Sequence, residues 1–428
     1  MFKTFIQRRL EHYVSQYFQK HPEVKLVVVV GSIGKTSTKL MTATVLSQKL
    51  RVRMENNNHN THMSAPLGIL GIEYPDDIRN PFAWIAVFLA ARKRIAAPSD
   101  VDVIVQELGT DRIGEIPHFG TYLRPDIAVV TAVTQEHMEF FGTIEAVAQE
   151  ELSAANFSQL TLINRDDIDG RFAEFLTQEN ITTYGSTNAA EHRIEIDDWN
   201  LNDGFTGSII APELESPLPV NISLIGEHTL HPVMGAVSVA LKLGLSADEI
   251  KRGVELLEPV HGRMNVLYGL KGSILIDDTY NSSPAAASAA LQTLYGMTVP
   301  QRIAVLGDMN ELGDSSQDEH EALGKLCDPN LLAWVVTVGE QANTYLAPQA
   351  RSNGCQVKTC ATALEAGAFV HSVLETDGVI LFKGSQGNIY LEEAVKMVLH
   401  KASDDKKLVR QSRQWMNIKR VFFEQMSS

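Results

Sequence analysis

The chain has 428 residues, 44% of them apolar, enough to build two or three packed domains. A formal net charge of −15 excludes a bulk nucleic-acid binder, because that role needs a basic surface. Three scattered cysteines, Cys327, Cys355 and Cys360, exclude a disulfide framework or a cysteine-rich zinc cluster and fit a reducing cytoplasm.

Residues 1–22 predict a short amphipathic helix ending before Pro22, with Phe2, Phe5, Leu10, Tyr13, Val14 and Phe18 roughly on one face. Four consecutive valines, Val27 to Val30, then read as a strand covered on both faces. The strand runs into Gly31-Ser32-Ile33-Gly34 and a helix that opens with Lys35-Thr36-Ser37. Glycines there let backbone N–H groups turn toward a phosphate, and the helix N-terminus adds partial positive charge. Lys35 can then reach the β- and γ-phosphates, and the Thr36 hydroxyl is placed to hold Mg²⁺. The stretch from Gly31 to Ser37 is therefore an expected ATP site, although Val29 stands where the general pattern has its first glycine.

Pro81 to Ala91 is the most apolar run, and Arg92-Lys93-Arg94 follows it. It is shorter than the ~18 residues a membrane span requires and reads first as a core helix. The basic flank makes weak peripheral membrane contact the second reading. Strands are expected over 101–108, 127–133 and 161–164, alternating with helices as in a parallel sheet with both faces covered. Ligands of such sheets gather at the carboxyl ends of the strands.

Between 191 and 225 the turn residues suggest an antiparallel insert, followed by helices near 233–243 and 246–257. Beyond a linker at Pro259-Val260-His261-Gly262-Arg263, α/β alternation restarts. The expected fold is α/β. A central P-loop ATPase domain with a mainly parallel sheet spans 23–259, and a smaller open, Rossmann-like α/β domain spans 260–400. A basic helical tail covers 401–428.

Several stations can carry chemistry. The loop from Glu55 to Pro66 holds Asn58, Asn60 and Thr61, whose uncharged donors and acceptors suit a substrate carboxylate beside ATP; a polar surface loop is the bland alternative. Glu107 closes a strand, where a carboxylate can share a hard cation with Thr36. His137 follows another strand, and the Glu150-Glu151 pair lies in the helix beyond it.

Together these stations resemble the Mur ligase family. The resemblance rests on Gly-Ser-Ile-Gly-Lys-Thr at 31–36, Asn58 and Asn60 before Pro66-Leu67, and Glu107 to Ile116 with Gly109 and Gly114. It continues through His137 with Phe141-Gly142, Gly226-Glu227-His228, Pro259 to Arg263, and Asp277-Asp278-Thr279-Tyr280-Asn281. Leu306 to Gly313 and Lys383-Gly384-Ser385 complete a match over about residues 24–395.

The family implies an ATP-dependent, ADP-forming ligase that activates a carboxylate as an acyl phosphate and joins it to an amine. It implies catalytic roles for Lys35, Glu107, His137, Glu151 and Arg263, and metal roles for Thr36, Glu107, His137 and Glu151. Arg263 and Asp278 would meet the nucleotide once the C-terminal domain closes, since a planar guanidinium matches phosphate oxygens. Asn58, Asn60, Thr61, His228, Asn281, Lys383 and Ser385 would contact substrate, with Lys383-Gly384-Ser385 as an anion cradle.

The C-terminal strings point to the branch that adds D-Ala-D-Ala to a muramoyl-tripeptide-type acceptor in cell-wall precursor synthesis. A polyglutamate- or cyanophycin-type ligase and a non-catalytic nucleotide-binding paralogue are the alternatives. A cytoplasmic monomer with small-molecule substrates and no nucleic-acid partner is expected.

The chain also departs from the family pattern. Ser64, Ala132, Thr229, Pro232 and Gln386 replace usual family residues, and a short helix precedes the phosphate loop where members carry a UDP-sugar-binding domain. Glu151 stands where many members have a carbamylated lysine, and it is expected to supply a carboxylate directly to a second Mg²⁺. Glu151→Ala should then cost far more activity than Glu150→Ala; an exposed pair of helical glutamates is the competing reading.

Overall fold

The computed structural model describes residues 2–426, apart from 56–58, 76, 137, 178 and 202. The chain forms two compact units: residues 1–134, 140–223 and 228–257, and residues 135–139, 224–227 and 258–428.

The first unit holds a nine-stranded sheet in the order β2-β3-β1-β4-β5-β6-β7-β8-β9. Its strands are β1 (Lys25–Val30), β2 (Val52–Met54), β3 (Val103–Glu107), β4 (Ile127–Val130), β5 (Leu160–Asn164), β6 (Ile181–Gly185), β7 (His192–Asn200), β8 (Gly204–Ile210) and β9 (Leu218–Ile222). Pairing is parallel from β2 to β7 and antiparallel from there to β9, so the alternating segment after residue 191 is the antiparallel extension its turn residues suggested. Val27 to Val30 are wholly buried, as expected of a central strand covered by helices on both faces. Register aligns Val29 with Glu107 on one side and with Val129 on the other. The carboxyl ends of β1, β3 and β4 therefore open at one level.

In chain order the first helices are α1 (Phe2–Lys20), α2 (Lys35–Leu46), α3 (Ala65–Leu70), α4 (Pro81–Ala96), α5 (Glu115–Phe119), α6 (Met138–Phe141), α7 (Ile144–Leu152), α8 (Leu230–Lys242) and α9 (Ala247–Glu255). Helix α1 buries Ile6, Leu10, Tyr13, Val14 and Tyr17, whereas Phe2 and Phe5 are exposed. The stripe is rotated from the face expected from sequence, because Ile6 and Leu10 join Met63, Leu67, Trp84 and Val87 in one cluster and fix the helix by what lies beneath it. Helix α4 starts at an Asn80 cap with Pro81 in its first turn. It is a surface helix rather than a core one: Trp84, Val87 and Ala91 face inward, while Phe82, Ile85 and Leu89 are exposed.

The second unit carries a six-stranded sheet in the order β10-β11-β15-β12-β13-β14. Its strands are β10 (Asn265–Tyr268), β11 (Ile274–Asp278), β12 (Arg302–Gly307), β13 (Trp334–Val338), β14 (Val357–Cys360) and β15 (Val379–Lys383). All its pairs are parallel except β10 with β11. The helices are α10 (Pro284–Tyr295), α11 (Ser316–Lys325), α12 (Ala347–Ser352), α13 (Ala363–Val373), α14 (Glu392–Val398) and α15 (Arg413–Met426). The expected helical tail packs on the second unit through its cations. Lys419 of α15 is buried against Glu392 and Glu393 of α14, and Arg410 pairs with Glu392 at 2.7 Å.

Candidate active site

The loop between β1 and α2 takes the shape its glycines permit. Gly31 has φ +123°, and a Cβ there would lie 2.2 Å from Thr131 Oγ1. Gly34, at φ +83°, is the N-cap residue of α2. From the β4 side, Thr131 Oγ1 donates to the carbonyl of Ile33 at 2.6 Å, and Ser32 N donates to the carbonyl of Ala132 at 2.9 Å. The Lys35 ammonium rests on the carbonyls of Gly31 and Ser32. Ser37 is buried in the first turn of the helix.

Register brings an oxygen cluster to the loop. Thr36 Oγ1 donates to Glu107 Oε2 at 3.0 Å, and Asn60 Nδ2 donates to Glu107 Oε1 at 3.2 Å. Gly109 admits Asn60 so closely that a Cβ at Gly109 would sit 2.7 Å from Asn60 Nδ2. Thr61 plays a local part: its hydroxyl meets Ser64 Oγ at 2.9 Å, at the start of α3. The serine standing in for the family's glycine thus helps order that turn. Burial holds the neighbouring His59 imidazole below its ordinary pKa.

The two glutamates of α7 are both buried, which removes the reading of an exposed pair. Their carboxylates do different things. Glu151 Oε2 accepts from the Gly31 N–H of the phosphate loop at 2.7 Å. Glu150 accepts from Gly114 N at 2.7 Å, from Ile116 N at 2.6 Å and from Thr110 Oγ1 at 3.2 Å, and so holds the start of α5. Replacing Glu150 is therefore not a silent control for replacing Glu151.

Sequence reasoning missed Lys39. It is buried one helical turn beyond Lys35, with Nζ 3.7 Å from Glu107 Oε2. The i,i+4 spacing from Lys35 was the available signal. Also missed was a brace behind Thr131. Asn164 Nδ2 donates to the Thr131 carbonyl at 2.8 Å and to Asp167 Oδ2 at 2.6 Å, and His231 Nδ1 lies 2.6 Å from the same Asp167 oxygen. His228, half-exposed, lies in the single turn before α8. Asn58 and His137 lie outside the described residues.

In the second unit, Lys383 is buried. It donates to Asp278 Oδ2 at 2.6 Å and to the Asn281 carbonyl at 3.1 Å. Ser385 is also buried, donating to the Ser282 carbonyl at 3.2 Å and accepting from Asn310 N at 2.9 Å. The expected open cradle at Lys383-Gly384-Ser385 is instead an internally bonded strand end. It joins the Asp278–Asn281 turn to the loop after β12. Asp308 fixes that loop by accepting from Ala342 N at 2.7 Å. Arg263 lies over the Tyr280 ring, with its guanidinium carbon 4.4 Å from the centroid.

The donor set of the first unit fits a nucleotide phosphate with a hard divalent cation. Glycines shape the loop, a lysine and a helix N-terminus lie at it, and a hydroxyl and two buried carboxylates are oxygen donors of the kind such a cation takes.

Comparison with known proteins agrees in extent and order. The Mur ligase middle domain matches residues 29–240, and the Mur ligase glutamate ligase domain matches residues 262–386. The UDP-N-acetylmuramoyl-tripeptide–D-alanyl-D-alanine ligase of Bacillus subtilis is 26% identical over 385 residues, covering 87% of this chain and 75% of that protein. The Escherichia coli enzyme of the same name is 26% identical over 333 residues, covering 77% and 68%. MurF from Acinetobacter baumannii shares the fold, with TM-score 0.74 at 24% identity over 90% of this chain and 79% of that one. MurF from Thermotoga maritima, solved with ADP, gives TM-score 0.73 at 24% identity over 94% and 85%. With both family domains lying in sequence and the phosphate loop, Glu107 and Glu151 meeting within the first, this chain belongs to the Mur ligase family.

Proposed function

We propose that the chain is an ATP-dependent, ADP-forming ligase of peptidoglycan-precursor synthesis. It adds D-Ala-D-Ala to a muramoyl-tripeptide-type acceptor and works as a cytoplasmic monomer. The observation that carries the reading is the meeting of Thr36, Glu107 and Glu151 at the glycine loop, beside Lys35. The ligase names of the bacterial relatives give the substrate classes.

In this reading the backbone of residues 31–36 binds the ATP phosphates, and Lys35 leaves the loop carbonyls to meet the transferred group. Thr36, Glu107 and Glu151, with His137, would hold Mg²⁺, which when bound screens charge developing on the phosphates. Asn60 orients Glu107, and the loop that carries Asn58, Asn60 and Thr61 would serve the substrate carboxylate. The substrate carboxylate takes the γ-phosphoryl group, giving an acyl phosphate and ADP. The amine of D-Ala-D-Ala then attacks the acyl carbon; the C–O bond breaks, phosphate leaves and the amine proton is lost. Arg263 supplies a guanidinium for phosphate. Within the second unit Asp278, paired with Lys383, and Asn281 serve positioning, with Ser385 bracing their turn, and in the first unit His228 serves substrate.

The deciding assay is phosphate release from ATP in the presence of candidate acceptors. Release should require both a muramoyl-tripeptide-type carboxylate and D-Ala-D-Ala, and should fall by at least about 100-fold in Lys35→Ala. Release driven by glutamate addition would favour a polyglutamate-type ligase. No release with any pair, despite ATP binding, would favour a non-catalytic paralogue.

We further propose peripheral contact with an anionic membrane through α4. Among the described residues no helix is long and apolar enough to cross a membrane. The exposed stripe of Phe82, Ile85 and Leu89 continues into exposed Arg92 and Lys93, an apolar face with a basic end on an acidic protein.

A further inference from the structure

Three separate elements of the first unit bring metal-ligating side chains to one place, none of them a residue of the phosphate loop's oxygen cluster. Glu11 comes from α1, His62 from the turn before α3, and His118 from the last turn of α5. One ligand atom from each of the three lies within 4.8 Å of the others. His118 Nε2 is 2.8 Å from Glu11 Oε1, and the His62 ring centroid is 4.6 Å from that of His118. Gln7 adds an amide beside them, 2.9 Å from Glu11 Oε1 and 3.4 Å from His118 Nε2.

We propose that Glu11, His62 and His118 form a binding site for a borderline divalent transition-metal ion, Zn²⁺ in the first instance. Two imidazoles and one carboxylate are a donor set that suits zinc and its cobalt or nickel surrogates, whereas Mg²⁺ prefers oxygen ligands alone. Three protein ligands leave a fourth position for water. The ion has a way in, because the His118 side chain keeps 39% of its surface exposed while Glu11 keeps 11%.

The third ligand is less committed than the other two. The Glu11–His118 contact satisfies those two groups, but His62 Nδ1 is buried with no hydrogen-bond partner. Its ring packs against both His118 and Phe119, with the Phe119 centroid 4.4 Å away. His59 Nδ1 and His192 Nδ1 are unpaired in the same way, so this feature supports the site only together with the three-ligand geometry. Rotation that turns the His62 Nδ1 toward the other two ligands would give that nitrogen a partner.

The ion would tie three things together: α1, the turn that presents Asn60 to Glu107, and α5, whose start Glu150 holds. Occupancy would stiffen the Asn60–Ser64 turn without entering the reaction.

The test uses the full chain, stripped with chelator and titrated with ZnCl₂ and, separately, CoCl₂ in the absence of nucleotide. We expect uptake of about one equivalent, with X-ray absorption of the zinc-loaded protein showing two imidazoles and oxygen in the shell. Zinc affinity should fall by more than about tenfold in Glu11→Gln and in His118→Gln. It should be unchanged in Glu107→Gln, which removes charge from the oxygen cluster at the phosphate loop. A shell with fewer than two imidazoles or with sulfur, no stoichiometric uptake, or equal uptake by His118→Gln would overturn the site. Because His118→Gln also breaks the Glu11 contact, the shell of the wild-type protein decides if that variant folds poorly.

Discussion

At the scale of single residues, neighbouring side chains in one helix turn out to have separate duties. Glu150→Ala strips a buried acceptor from two backbone N–H groups and should cost about 1–3 kcal/mol in urea unfolding. Glu151→Gln keeps an oxygen for Gly31 N but removes the charge. It should leave stability within about 1 kcal/mol while lowering turnover by about 100-fold or more. Loss of stability without loss of turnover at Glu151 would reduce that residue to a brace for the loop. Asp277 offers a different check. Burial raises its carboxyl from 3.8 to about 7, so the folded chain holds a proton that the unfolded chain has released. Its contribution to stability is then complete below about pH 4 and is lost as pH rises through about 7. Asp277→Asn keeps the oxygen that Thr279 donates to, and should flatten that part of the stability profile. A profile with the same slope in both proteins would exclude Asp277 as its source.

At the scale of elements, much was legible because the strongest local signals belong to central strands. The valine run of β1, Trp334–Val338 of β13 and Val379–Lys383 of β15 are short, apolar and bounded by turns, so their pattern stands out. β2, β6, β10 and β14 were not legible. Of these, β2, β10 and β14 lie at sheet edges, where one flank is unpaired and polar residues are tolerated. The stripe of α1 was misjudged for a related reason: sequence shows which residues are apolar, but the cluster around Trp84 and Leu67 selects which of them go inward. The C-terminal helix carries a further expectation. Glu392 is buried between Arg410 and Lys419, and Arg410 also donates to the carbonyls of Thr279 and Tyr280. Glu392→Ala strips two buried cations of this shared partner and should destabilise the second unit by about 3–5 kcal/mol. Chemical denaturation followed at Trp334 or Trp415 would read this, and a loss below about 1 kcal/mol would mean water replaces the pair.

For the molecule as a whole, the exposed face of α4 makes a measurable demand. The protein should co-sediment with vesicles containing phosphatidylglycerol and not with neutral vesicles, and Ile85→Glu with Leu89→Glu should abolish the difference. Equal sedimentation of wild type and variant would leave the face as plain surface. Sequence alone determined the class of the fold, the phosphate loop and the family resemblance, because each rests on local pattern: a strand, a glycine turn, a helix start, and fixed strings of residues. It could not decide what long-range register does with them. Val29 aligns with Glu107 across the sheet, Glu151 reaches Gly31 from a helix far along the chain, and Glu11 meets His118. Those meetings depend on strand order and helix packing, which only the tertiary structure fixes. They turn a generic phosphate loop into a site with two buried carboxylates, and they turn two unremarked histidines into a candidate metal centre.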